Sequence, residues 1–197
     1  MSHPPAAISR QSEPDLARAV SILETYEPPN DEQASLRRRI LEWIDRFPET
    51  AHRRECLDGH LTASSLVLDP AGRRILLLHH RKLDKWLQPG GHCDGDANLP
   101  GVALREAEEE TGLDGLIVEP LPIDLDIHEI PARGDVPAHL HLDTRFVVTA
   151  PPGVEPRQNH ESNAVRWCTL DEAFAMAGDD SVERLVRIAA DRFRSGP

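Results

Sequence analysis

Apolar residues recur at helical spacing along the first quarter of the chain. Leu16, Val20 and Leu23 stand at i, i+4 and i+7 behind Pro14, which predicts a short amphipathic helix within 14–26, stopped by Pro28 and Pro29. A second stripe of Leu36, Ile40, Trp43, Ile44 and Phe47 starts after a cap at Asn30 or Asp31 and ends at Pro48. The two form a helical hairpin. It has three readings: a cover over one side of the main domain, a contact in a homodimer, or a lid over a site.

Beyond a polar stretch at 49–59 the period shortens to that of strands, over Leu61 to Leu68 and Ile75 to Leu78. Between them Asp69-Pro70-Ala71-Gly72 has the order of a type I turn, so the pair is expected to be a β-hairpin. A loop rich in Gly and Asp follows at 88–98, then a helix from Leu99 to Thr111 closed by Gly112. Strand-like segments resume near 116–127 and 138–149, and Pro151, Pro152 and Pro156 mark a loop. Thr169-Leu170-Asp171-Glu172 has capping-box form ahead of a short helix, and Val182, Leu185, Val186 and Ala189 give a last amphipathic one. This order predicts an α+β (mixed α/β) fold with a small sheet between helices. The expected organisation is a helical extension at 1–57 packed on a main domain at 58–197.

Composition narrows the function classes. The 197 residues carry 22 Lys+Arg against 34 Asp+Glu, a net charge of −12, and only 4% aromatics. That surface offers neither the basic footprint nor the stacking platforms of a long nucleic-acid track. No apolar run approaches the ~20 residues of a membrane span. The start, MSHPPAAISRQSEPD, has no basic segment followed by an apolar one, so the expected location is cytoplasmic. Cys56, Cys93 and Cys168 are odd in number and widely spaced, which fits neither a disulfide framework nor a cysteine zinc site.

The densest chemical signal is Arg105-Glu106-Ala107-Glu108-Glu109-Glu110-Thr111-Gly112-Leu113, downstream of Gln88-Pro89-Gly90-Gly91-His92. At about 100° per residue, Glu106, Glu109 and Glu110 sit near 0°, 300° and 40° on one helix face, and Glu108 near 200° on the other. Like charges at this spacing oppose an isolated helix, and so do anions near its C-terminal end. One reading is a hard divalent cation, Mg2+ in particular, held by carboxylates, waters and phosphate oxygens. The other is a solvated acidic face. Gly90 and Gly91 allow close backbone approach and positive φ just upstream of the helix, where a loop can fold back over the carboxylates.

Read from Gly91, the segment GHCDGDANLPGVALREAEEETGL resembles the box of the Nudix hydrolase family, G-x5-E-x7-R-E-U-x-E-E-x-G-U with U aliphatic. Gly91, Arg105, Glu106, Ala107, Glu109, Glu110, Gly112 and Leu113 match; the first box glutamate falls on Ala97, with Asp96 beside it as a substitute anchor for the loop. The resemblance implies a Nudix-type α/β/α sandwich. It also implies hydrolysis of a diphosphate linkage in a nucleotide-type small molecule, with Mg2+ or Mn2+ as cofactor. By the same resemblance Glu106, Glu109 and Glu110 are the expected metal ligands, and Arg105 orients a carboxylate. The general base is Glu106 or a glutamate outside the box, for which Glu161 in Gln158-Asn159-His160-Glu161-Ser162 is the candidate. A non-catalytic module that senses a nucleotide metabolite is the alternative function; it has no need of all three inner glutamates.

In His139-Leu140-His141-Leu142-Asp143-Thr144-Arg145-Phe146, period 2 puts His139, His141, Asp143 and Arg145 on one strand face. That face either lines the substrate cleft or is a hydrogen-bonded, half-exposed surface. In the first case Arg145 pairs a phosphate, while the histidines bond a leaving group or bind metal. His79, His80, Arg81, Lys82 and Lys85 form the concentrated basic stretch, readable as a cleft rim or as solvated turn residues. Cys93 has no evident histidine–acid pair to activate it as a nucleophile.

Overall fold

Asp15 and Asn30 each present a side-chain oxygen to a free N–H of the turn that follows, and at these two caps the chain enters its first helices. In the computed structural model of the protein, which describes residues 10–71 and 73–195, these are α1 (Leu16–Thr25) and α2 (Asp31–Arg46). The buried face of α1 is Leu16, Ala19, Ile22 and Leu23, a slight rotation from the expected stripe that leaves Val20 half-buried. In α2, Ile40 and Ile44 are buried as expected, together with Gln33, a polar residue that hydrophobic periodicity passes over.

The strands follow as β1 (Gly59–Leu68), β2 (Arg74–His80), β3 (Lys85–Leu87) and β4 (Gly90–His92). After α3 (Leu99–Thr111) come β5 (Ile117–Ile130), β6 (His139–Thr149) and β7 (Ser162–Thr169), and the chain closes with α4 (Leu170–Met176) and α5 (Asp180–Ser195). The fold is mixed α+β. Its seven-stranded sheet runs β3-β2-β1-β6-β5, with β4 also pairing β1 and β7 also pairing β2. Every residue of β1 is buried, polar His60, Thr62, Ser64 and Ser65 included, as befits a strand covered on both faces. Among the described residues no helix is long and apolar enough to cross a membrane.

The expected hairpin forms, Leu68 opposite Ile75. Asp69 Oδ1 accepts the N–H groups of Arg73 (2.7 Å) and Arg74 (3.0 Å), and Gly72 of the turn lies outside the described residues. Three strands escape the sequence reading, and one of them, β4, lies within the loop expected at 88–98. β3 follows a turn in which Asp84 adopts φ +54°, and its three residues are too few to show a period. β7 alternates poorly but pairs β2 antiparallel from Arg74↔Thr169 to His80↔Ser162.

The chain forms two compact units, each assembled from separated segments. The first takes the residues up to 63, 91–103 and 119–146; the second takes 64–90, 104–118 and the residues from 147 on. In the first, the N-terminal helices are keyed to β5 by Gln33. Its Oε1 accepts Leu125 N–H (2.9 Å) and the Tyr26 hydroxyl (2.7 Å), and its Nε2 donates to Leu125 C=O (3.0 Å). The side-chain amide thus satisfies both backbone groups of a residue in an edge strand. In the second unit, Thr169 and Glu172 form the capping box of α4 as expected, and α5 buries Val182, Leu185, Val186 and Ala189.

Candidate active site

Helix α3 carries the acidic pattern, and the chain fixes both of its ends. Ahead of it, Asp96 Oδ1 accepts the N–H groups of Asn98 (2.9 Å) and Glu13 (3.0 Å), and Ala97 N–H donates to Glu13 C=O. Ala97 itself is fully buried, so the position of the missing box glutamate is filled with apolar volume while Asp96 anchors the loop. At the other end Gly112 takes φ +62°, and its N–H closes on Glu108 C=O (2.9 Å), a conformation that favours glycine.

Gly90 and Gly91 do not adopt the positive φ expected of them; as part of β4 they are extended, and the left-handed turn falls at Asp94 and Gly95. What Gly90 supplies is a backbone N–H, donated to Glu110 Oε2 at 2.8 Å. Glu110 is 6% exposed. Burial pushes its carboxyl up from 4.5 to about 8 against the lowering effect of the Gly90 hydrogen bond, and the charges of Glu106, Glu161 and Glu109 add to the rise. Glu106 is held by Arg105 Nη2 at 3.1 Å. Glu109 is the exposed member of the run, while Glu108, on the opposite face of the helix, is half-buried.

The loop carrying Glu161 is tied to the same helix. Asn159 Nδ2 donates to Glu109 C=O (3.2 Å), its Oδ1 accepts Glu161 N–H (2.8 Å), and Arg157 N–H donates to Thr111 C=O (2.6 Å). Asn159, overlooked in the sequence, is the bridge that brings Glu161 into the field of Glu110. The four glutamates share a field, yet Glu106, Glu109 and Glu110 do not converge on one point. Among the described residues, the three donor atoms found within 4.8 Å of one another belong to His60, His92 and His141.

Those histidines belong to the first unit. His141, expected on a cleft-lining face, packs among His60 (ring centroids 5.1 Å), His92 (4.9 Å), His139 (5.2 Å) and His128 (5.4 Å). Burial, helped by the neighbouring rings, lowers His141 to about 2; burial together with the charges of Arg54 and His60 lowers His92 to about 4. His60 and His92 were invisible to a reading of single elements, because each stands alone in its own short segment.

Arg145 does not offer its charge to a phosphate. Its side chain is 1% exposed, and it meets Asp143 (Nε–Oδ2 2.9 Å), Asp124 (Nη1–Oδ2 3.0 Å) and Asp126 (Nη2–Oδ2 3.3 Å). Thr62 Oγ1 donates to the other Asp143 oxygen at 3.0 Å. Three carboxylates account for one buried guanidinium, a structural ion cluster in place of a substrate contact. The basic stretch is also taken up locally. His80 Nδ1 accepts the N–H groups of Lys82 and Leu83, Arg81 Nε donates to Asn163, and Lys85 Nζ lies 3.5 Å from Asp179.

A NUDIX domain model matches residues 59–187. The chain is 32% identical over 116 residues to the CMP-5'-(N-acetyl-N-hydroxy-3-aminopropyl)phosphonate hydrolase of Streptomyces rubellomurinus, a stretch of 56% of this chain and 52% of that protein. It therefore spans about half the length of this curated relative. Among solved structures, a C. elegans Ap4A hydrolase binary complex aligns with TM-score 0.55 and 21% identity, over 70% of this chain and 98% of that one. The E. coli dihydroneopterin triphosphate pyrophosphohydrolase aligns with TM-score 0.55 and 18% identity, over 67% and 96%. At those identities the likeness is one of fold. With the domain match covering more than half of the chain and the box residues from Arg105 to Glu110 carried on α3, the chain belongs to the Nudix family.

Proposed function

We propose that the chain is a divalent-metal-dependent hydrolase that cleaves a diphosphate linkage in a small nucleotide-type substrate by attack of water at phosphorus. The observation that carries this reading is Glu110, a carboxylate buried beside three others and driven to about 8, a burial of negative charge that a cation relieves. The donor set fits Mg2+ or Mn2+. These hard ions take one or two carboxylates with waters and phosphate oxygens, so the acidic face serves without three oxygens meeting at one point. Glu106, Glu109 and Glu110 would supply those carboxylates, and the ion would polarise a phosphoryl oxygen and lower the pKa of its water.

The protein's own residues do the rest. Arg105 fixes the Glu106 carboxylate, Gly90 N–H fixes that of Glu110, and Asn159 holds the Glu161 backbone. Glu161 or Glu106 accepts the proton of the attacking water, Glu161 being half-exposed and so open to solvent. The CMP-linked substrate in the name of the Streptomyces relative favours a nucleotide joined to another group as the substrate class. We further read 58–197 as the catalytic domain and the N-terminal helices as its extension.

A panel of nucleotide diphosphate compounds assayed with Mg2+ and with Mn2+, on wild type and on Glu109→Gln and Glu110→Gln, tests the reading. Turnover by wild type that falls steeply in both variants is expected. Retained turnover in both refutes the assignment, and no turnover across the panel, with a nucleotide still bound, points to a sensing module.

A further inference from the structure

We propose that His60, His92 and His141 form a second metal site, made of nitrogen donors in place of the α3 carboxylates and suited to a Zn2+-class ion. They come from β1, β4 and β6, and one donor atom from each lies within 4.8 Å of the other two. The inference is independent of the hydrolase reading.

The donors are prepared for a metal. His60 is 4% exposed, and its Nδ1 lies 3.3 Å from the Cys56 carbonyl. A carbonyl only accepts, so Nδ1 bears the proton and Nε2 carries the lone pair. This is how histidine ligands are commonly oriented, with a backbone acceptor holding the other ring nitrogen. That Nε2 is buried with no hydrogen-bond partner among the described residues, and so is Nε2 of His141. Two unsatisfied imidazole nitrogens in one small cluster are unusual, since buried polar atoms nearly always find partners. An ion would satisfy both at once.

The surroundings extend the same pattern. The His139 ring stacks on His60 at 5.0 Å with its Nδ1 2.9 Å from Pro137 C=O, which leaves its Nε2 as a candidate fourth ligand, water being the other. Donors on a tetrahedral zinc lie about 3.4 Å apart at Zn–N of about 2.0–2.1 Å. To reach that spacing the half-buried His92 and His141 would rotate as the ion binds. Imidazole selects Zn2+ and its neighbours over Mg2+, which prefers oxygen, so the two donor sets sort their ions by chemistry. An ion here cross-links three strands of one sheet.

The test is equilibrium dialysis of the metal-stripped full chain against Zn2+, and separately Co2+, with Mg2+ in excess to occupy the carboxylates. One equivalent of Zn2+ is expected, with a raised melting temperature, visible Co2+ bands of nitrogen coordination, and shifted ring resonances of His60, His92 and His141. His92→Ala and His141→Ala should each weaken binding by roughly a hundredfold or more. His160→Ala, on an 87% exposed side chain, and Glu109→Gln should bind as wild type does. The ring resonances decide the matter even where a variant fails to fold. No bound equivalent, or bound Zn2+ that leaves these three rings unmoved, overturns the site. Zn2+ binding by a protein that hydrolyses nothing leaves this site standing and refutes only the hydrolase.

Discussion

Replacing Glu110 by Gln in metal-free protein isolates the cost of burying a carboxylate among carboxylates. Gln keeps an oxygen to accept Gly90 N–H and removes the ionisation. In the folded protein the Glu110 carboxyl holds its proton up to about pH 8, whereas the unfolded chain releases it near 4.5. Folding therefore takes up a proton between those values. The stability this confers is full below about 4.5, is lost as pH rises toward 8, and is level above it. A span of this width corresponds to on the order of 5 kcal/mol at about 1.36 kcal/mol per unit. The 6% exposure of Glu110 leaves little solvent screening to reduce it.

The assay is urea unfolding of wild type and Glu110→Gln in chelator from pH 5 to pH 9. The stability difference should swing by several kcal/mol toward the variant as pH rises, about 2–4 °C in melting temperature for each kcal/mol. Groups common to both proteins cancel. Saturating Mg2+ at the alkaline end should stabilise wild type and leave the variant far less changed. Parallel pH profiles in chelator would refute the argument, because Glu110 would then be ionised in the fold without penalty.

Arg145→Met should destabilise the protein by about 3–5 kcal/mol, because it strands three aspartates around an uncharged side chain; denaturant unfolding checks it, and a folded variant of wild-type stability would reopen a substrate role for Arg145. Gly112→Ala should cost about 1–2 kcal/mol for the left-handed conformation, with the added methyl carbon meeting Arg157 Cβ at 3.3 Å, and a thermal melt reads the loss. No disulfide joins the three cysteines and all are buried, so reductant should leave the melting temperature unchanged, and a thiol reagent should titrate them only on unfolding.

Where sequence and structure agree, the signal was local and repeated. The α3 boundaries, the Thr169 capping box and the α5 stripe each rest on residues three or four apart, and each forms as read. The box residues and the shared field of Glu106, Glu109 and Glu110 were legible for the same reason. What escaped depends on partners distant in the chain. Gln33 is buried because Leu125, 92 residues on, needs a donor and an acceptor. Arg145 looked like a phosphate ligand because period 2 gives its face but not Asp124 on another strand. His60 and His92 gain meaning only when β1, β4 and β6 bring their rings together, and β7 forms because β2 offers it an edge, not because its residues alternate.

The Gln33 amide has a consequence for how the molecule can be cut. β5 ends the strand order, and the two backbone groups of Leu125 are closed off by a side chain that enters from α2. A protein shortened to begin at residue 58 would keep the family's residues and lose that plug. Its open strand border would then be free to recruit a neighbouring molecule, which would show as self-association before any loss of helix content.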